Sequence, residues 1–211
     1  MSLFLLSEKP RYISDTFCSS SIIINLQENA ALPSSPTVAV VYFFFPDRPR
    51  DERSVYNMLS AIAFQSCRHC RRIPPEVLTI YRANIGTPPT FAALQIMITH
   101  SFGGFEKVFV VLDAIDAVFE QEMLLSTIQQ LMSIPNTNVL MTSRRGDFLA
   151  GGFSSKMDRT LRLIQMPVSH IKEDICRCIS AFLRLEPITW TWTSGLKLEV
   201  ELSLSTRSEG M

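Results

Sequence analysis

The sequence lacks charge imbalance, long apolar runs and an even set of cysteines. Lys plus Arg is 20 and Asp plus Glu is 20, so the 211-residue chain has a formal net charge of zero. That excludes the basic field on which non-specific binding to nucleic acid or to an acidic membrane depends. The balanced charge, with a mean hydropathy of +0.17, also gives little protection against self-association. The longest apolar run, VAVVYFFF from Val38 to Phe45, has eight residues. A bilayer-spanning helix needs roughly 20. Leu3–Leu6 is apolar but follows no basic region and is too short for a secretory leader. The five cysteines, Cys18, Cys67, Cys70, Cys176 and Cys178, are odd in number. Without a leader they are expected to be reduced thiols of a soluble cytoplasmic protein.

What is present is a regular alternation of apolar runs and helical spacing. Hydrophobic residues make up 46% and charged residues 19%, the composition of a globular chain. Five segments read as strands: Leu3–Leu6, Thr37–Phe45, Lys107–Asp113, Asn138–Ser143 and Thr160–Gln165. Their apolar residues are mostly continuous rather than alternating, as expected of strands buried on both faces of a parallel sheet. Helical spacing fills Thr16–Gln27, Ser54–Cys67, Pro75–Arg82, Thr90–Phe102, Glu120–Met132 and Ser169–Leu185. In the second of these Met58, Leu59, Ile62 and Ala63 share one side, and Ser54 is the expected N-cap. Strand and helix in turn, joined by right-handed crossovers, make an α/β domain. The expected linkers are ENAALPSSP, FPDRPRDER and RRGDFLAGGFSSKMD. After Pro187 the pattern weakens to one helix at about Leu196–Leu204, read as the start of a second, helical domain.

The run FVVLDAIDA, Phe109 to Ala117, carries the chemistry. Four apolar residues lead into Asp113, and Asp116 follows three positions later. Open α/β sheets bind ligands at the carboxyl ends of their strands. In a phosphoryl-transfer site Asp113 would hold Mg²⁺ through its hydration shell, and Asp116 would orient or deprotonate the attacking water. Alternatively, Asp113 caps a turn and Asp116 N-caps the next helix; spacing alone leaves both open. The next strand ends LMTSRR. Thr142 or Ser143 at its tip would sense a γ-phosphate and Arg144 would pair with it, unless this is an ordinary solvated strand end.

Taken in order, TVAVVYFFFPD, KVFVVLDAID, NVLMTSR and SHIKEDICRCI resemble the NACHT-type STAND NTPases of filamentous fungi, which carry a nephrocystin-like N-terminal domain. The family's corresponding runs look like YFFFDF, VYIVLDALDEC, VLVTSR and V-x-x-DI-x-x-YI. The closing LSLSTRSEGM resembles a family helix ending SxGMF, so the likeness covers essentially the whole chain. It implies a P-loop NTPase-like parallel sheet of about five strands, in the order 5-1-4-3-2, flanked by helices. Residues 1–167 would be the nucleotide-binding core. Residues 168–211 would be the first part of a helical extension, with helical and ankyrin or WD40 repeat domains beyond it. Active relatives use ATP or GTP to switch between closed and oligomeric states.

The same resemblance implies a phosphate loop, G-x-x-x-x-G-K-S/T. Its backbone amides wrap the β-phosphate, its lysine neutralises the β/γ oxygens and its hydroxyl holds Mg²⁺. The matching stretch is SEKPRYISDT, Ser7 to Thr16. Glu8, Lys9 and Pro10 stand at G-K-P, Ser14 at the last glycine, Asp15 at the lysine and Thr16 at the hydroxyl. No glycine lies between Met1 and Thr16, and the stretch from Glu8 to Thr16 is one residue longer than the family's. Side chains at the glycine positions obstruct close backbone approach. Losing one member of a desolvated charge pair costs about 2–5 kcal/mol, and an aspartate there adds repulsion. A micromolar site near about −8 kcal/mol would fall to millimolar or weaker. Ala117 stands where the family has glutamate, so Asp116 is left alone to activate water.

The expectation is a NACHT-like module with a degenerate phosphate loop. It would be non-catalytic, work without a cofactor, and act through a protein partner or its own following domains rather than nucleic acid or membrane. Two alternatives stand beside it. One is a working switch that binds Mg·ATP or Mg·GTP. There Ser14, Asp15, Thr16, Thr142 and Arg144 would contact nucleotide, Asp113 and Thr16 would hold the metal, and Asp116 would be catalytic. The other is a truncated remnant without independent activity.

Three further features have ordinary readings. Cys67 and Cys70 have C-x-x-C spacing, but Cys176 and Cys178 lack the spacing of a second half, and the pair ends a helix rather than opening one. Ordinary thiols are expected. His100 and His170 have no acid or nucleophile pattern beside them and read as turn or surface residues. Trp190 and Trp192, in TWTWT, would lie on one side of an extended segment and pack on the following domain.

Overall fold

Residues 3–7, 14–30, 37–45, 55–143, 161–165 and 168–207 are described by a computed structural model. The elements run β1 (Leu3–Ser7), α1 (Ser14–Ala30), β2 (Val38–Phe44), α2 (Val55–His69), α3 (Pro75–Ala83), α4 (Phe91–Phe102) and β3 (Lys107–Asp113). A 3-10 turn, Ile115–Ala117, leads into α5 (Gln121–Ser133) and β4 (Thr137–Ser143). Then come β5 (Leu161–Gln165), α6 (Val168–Leu185), a 3-10 turn at Pro187–Thr189, and α7 (Ser194–Arg207). The sheet is ordered β2-β3-β4-β1-β5, and all its pairings are parallel.

Alternation along β2 sets the layers. Ala39, Val41 and Phe45 join the cluster under α2, α4 and α5, while Val40 packs with Val111 and with Ile23 of α1 on the opposite face. Both faces are covered, so the strand reads as an unbroken apolar run. The thick layer is built by helical stripes. In α2 the buried residues are Val55, Met58, Leu59, Ile62, Ala63 and Ser66, a repeat of three and four that turns one face inward. In α5 Leu124, Ile128 and Leu131 do the same. Fully burying each such Leu or Ile contributes about 1.5–3 kcal/mol. Thr90 caps α4 by accepting from the Ala93 N–H at 3.2 Å, and Pro75 opens α3 where its missing N–H is harmless.

The free edge of β2 is clamped by α2. The Gln65 carboxamide accepts from the Tyr42 N–H at 3.0 Å and donates to the Tyr42 carbonyl at 2.8 Å. His69 Nε2 lies 3.1 Å from the Val40 carbonyl. Side chains thus occupy backbone groups that an incoming strand would otherwise pair with.

The parallel α/β sheet flanked by helices agrees with the sequence pattern, and element ends fall within a few residues of those expected. The expected N-cap Ser54 and the bodies of the three expected linkers lie outside the described residues. The TWTWT stretch is a correction. It is not extended: Thr189 closes a 3-10 turn and Trp190 follows in a turn. The buried Thr189 hydroxyl donates to the Leu183 and Glu186 carbonyls at 2.9 and 2.8 Å. Such local side-chain bonds favour a turn over a strand. Trp190 is 68% exposed. No helix among the described residues is long and apolar enough to cross a membrane.

Candidate functional site

Parallel pairing brings the strand tips together. Phe44 of β2 sits opposite Asp113 of β3, Leu112 of β3 opposite Met141 of β4, and Leu6 of β1 opposite Thr142 of β4. Asp113 ends β3 only 2% exposed. Its Oδ1 accepts two hydroxyl bonds of 2.6 Å, from Ser19 of α1 and Thr142 of β4. Ser19 and Thr142 are themselves buried. Thr142 Oγ1 also accepts from the Ala114 N–H at 3.0 Å. Thr142 therefore grips the β3 terminus twice, at the carboxylate and at the following amide.

That second grip fixes an unusual backbone. Ala114 is left-handed, with φ 57° and ψ 48°, a region that L-residues other than Gly, Asn and Asp rarely enter. It turns the chain sharply off the strand, and the 3-10 turn Ile115–Ala117 follows with Ile115 buried. The Phe45 N–H, just past β2, bonds the Asp113 carbonyl at 3.1 Å. Main chain and side chain of Asp113 thus tie together β2, α1 and β4. A hydrogen bond to a charged group contributes about 1.5–3 kcal/mol, and a buried carboxylate that loses one carries its desolvation cost uncompensated.

The residues singled out in the sequence are treated unequally by the fold. Asp113 and Thr142 meet directly. Asp116 lies inside the 3-10 turn and is half-buried. It is not the N-cap of α5; Glu120 stands there, with no side-chain cap bond. Ser14, Asp15 and Thr16 form the first turn of α1, and their side chains lie outside the described residues, as does Arg144. The residue that sequence reasoning missed is Ser19. It sits three positions after Thr16 and four before the buried Ile23, on the stripe of α1 that faces the sheet. That periodicity was readable, but three consecutive serines, Ser19–Ser21, conceal which one faces inward.

The oxygen donors gathered here, one carboxylate and two hydroxyls, are hard ligands of the kind Mg²⁺ takes when substrate phosphates complete its shell. Among the described residues no group of three or more His, Cys, Asp or Glu gathers to hold a metal by protein ligands alone.

A family profile described as Nephrocystin 3, N-terminal, matches residues 14–144, well over half of the chain, spanning α1 to the end of β4. Among solved structures the chain is similar to the Aeropyrum pernix ORC2 protein, determined as ADPNP-ADP complexes. The TM-score is 0.54 at 13% identity, over 96% of this chain and 50% of that one. The chain therefore spans half the length of that protein. A structure of Drosophila ORC bound to GC-rich DNA and Cdc6 gives a TM-score of 0.46 at 14% identity, over 99% of this chain and 77% of that one. The Aeropyrum likeness shows a shared fold, a helix-flanked parallel sheet, and at this identity the fold alone. No curated protein matches the sequence.

Proposed function

The chain belongs to the nephrocystin 3 N-terminal family, and from that premise we propose that it is a NACHT-like module of P-loop NTPase fold that does not hydrolyse nucleotide and acts through protein contacts in the cytoplasm. The observation that carries this reading is the Asp113 carboxylate, engaged by the Ser19 and Thr142 hydroxyls of its own fold. Asp113 serves here as a tie between α1 and two strand tips. The sequence leading into and opening α1 points the same way, with Asp15 where a phosphate-binding lysine is needed and no glycine before it.

The sheet order, read from β5 as 5-1-4-3-2, supports assigning residues 1–167 to the NTPase-like core. Residues 168–211, with α6 and α7, then form a separate helical extension. Asp113 with the Thr16 or Ser19 hydroxyl would hold Mg²⁺ only alongside a nucleotide's phosphates, where the ion would neutralise β/γ charge. Thr142 and Arg144 would face the γ-phosphate, and Asp116 would be the acid nearest the attacking water.

A working nucleotide switch is the second reading. It is favoured by Asp113 and Thr142 standing together at the carboxyl ends of adjacent strands, where open sheets take ligands. Calorimetric titration with Mg·ATP and Mg·GTP, together with a phosphate-release assay, separates the two. Millimolar or weaker binding without turnover is expected. Micromolar binding with Mg²⁺-dependent turnover that disappears in Asp113→Ala overturns the proposal in favour of the switch.

A further inference from the structure

The C-x-x-C pair plays no part in the site above, and the fold gives it a setting of its own. Cys67 lies in the last turn of α2, and Cys70 is the first residue beyond His69, where the helix ends. Both are half-buried. Their sulfurs converge on one residue of α4: Cys67 Sγ lies 3.7 Å from Ser101 Oγ, and Cys70 Sγ lies 3.9 Å from the Ser101 carbonyl. Ser101 is fully buried, so it is a fixed anchor.

The backbone suits closure between the two. The Cys70 N–H is shared by the Ser66 and Cys67 carbonyls, each at 3.2 Å, which marks a tightening last turn. Cβ atoms three residues apart on a helix are about 5–6 Å apart, and a disulfide needs about 3.5–4.5 Å. Cys70 lies just past the last helical residue, so a shift there loads only the bonds of its own N–H to Ser66 and Cys67. Exposed Arg68, Arg71 and Arg72 flank the pair in sequence, and Arg68 lies over the Phe64 ring at 5.8 Å. With no third ligand among the described residues, a metal is not the natural occupant.

We propose that Cys67 and Cys70 form a reversible dithiol–disulfide pair that exchanges with small anionic disulfides drawn to the basic end of α2. The Cys67 thiolate attacks one sulfur of the incoming disulfide. This forms a mixed disulfide and releases one thiolate. Cys70 then loses its proton and attacks the Cys67 sulfur, releasing the second thiolate and closing the intramolecular bond. In sum, two protein thiols become one disulfide and the small disulfide becomes two thiols. Cys70 acts second because burial, and then the neighbouring Cys67, push its thiol up, against a smaller lowering from the Ser101 side chain.

The test is equilibration of the whole chain with glutathione and glutathione disulfide at a series of ratios, followed by acid quench, alkylation and peptide mapping by mass spectrometry. A Cys67–Cys70 disulfide is expected to exceed the mixed disulfide by about tenfold, because the second thiol is held at millimolar or higher effective concentration. In Cys70→Ser a mixed disulfide should accumulate on Cys67. Cystamine, a cationic disulfide, should react more slowly than glutathione disulfide, and salt should narrow the difference. A persistent mixed disulfide in the unsubstituted chain, a linkage to Cys176 in place of this one, or no reaction overturns the proposal. The readings on the unsubstituted chain do not depend on any variant folding.

Discussion

Removing the Ser19 hydroxyl tests whether Asp113 is the tie that the geometry describes. Ser19→Ala deletes one oxygen from a site with no exposure and takes a 2.6 Å bond from a nearly buried carboxylate. The β-carbon stays and only one oxygen is removed, so cavity formation is small and the cost is that of a charged-group hydrogen bond, about 1.5–3 kcal/mol. For a domain of 150–250 residues each kcal/mol lowers Tm by about 2–4 °C, so a fall of about 3–12 °C is expected. Urea unfolding should show a lower midpoint at unchanged m. Ser21, exposed on the same helix, is the control: Ser21→Ala should stay within about 0.5 kcal/mol. Thr142→Val removes the other donor on Oδ1 and the acceptor of the Ala114 N–H. Because both hydroxyls share one oxygen, the double variant should deviate from additivity by about 0.5–3 kcal/mol. If Ser19→Ala costs no more than Ser21→Ala, Asp113 does not anchor α1. The self-satisfied carboxylate would then lose its role in the proposed function.

Two other substitutions probe the frame. Gln65→Ala should leave the Tyr42 N–H and carbonyl unpaired at the sheet edge, costing about 1–3 kcal/mol. Static light scattering should show faster association as β2 becomes available for pairing; an unchanged scattering rate would mean that the edge is protected by something other than α2. Thr127, in α5, has a buried hydroxyl with no partner among the described residues, lining a small cleft with Gln95, Ile98, Gln130 and Leu131. Thr127→Val keeps the shape and removes an unsatisfied polar atom, so chemical denaturation should show stability unchanged or raised by up to about 1 kcal/mol. A clear loss of stability would mean the hydroxyl has a solvent partner in the cleft.

The strands and helices were legible because two-sided burial writes unbroken apolar runs such as Lys107–Asp113, and one-sided burial writes the spacing of Met58, Leu59, Ile62 and Ala63. Asp113 and Thr142 were legible as strand-end polar residues, since a run of apolar residues ending in a carboxylate is conspicuous. The Trp190–Trp192 stretch was misread because alternation is a weak signal beside a threonine that can bond its own turn, as Thr189 does. Ser19 was hidden because three serines in a row are chemically equivalent until a helix is docked against a sheet.

By itself, then, the sequence determined the class of fold, the positions of its elements and the absence of glycine between Met1 and Thr16. These are local properties, written in residue type and period. Only the tertiary structure decided which hydroxyls reach Asp113, that Gln65 seals the edge of β2, and that Cys67 and Cys70 meet at Ser101. Each joins residues 23 to 94 positions apart, and chain order carries no distance between such residues until the layers pack.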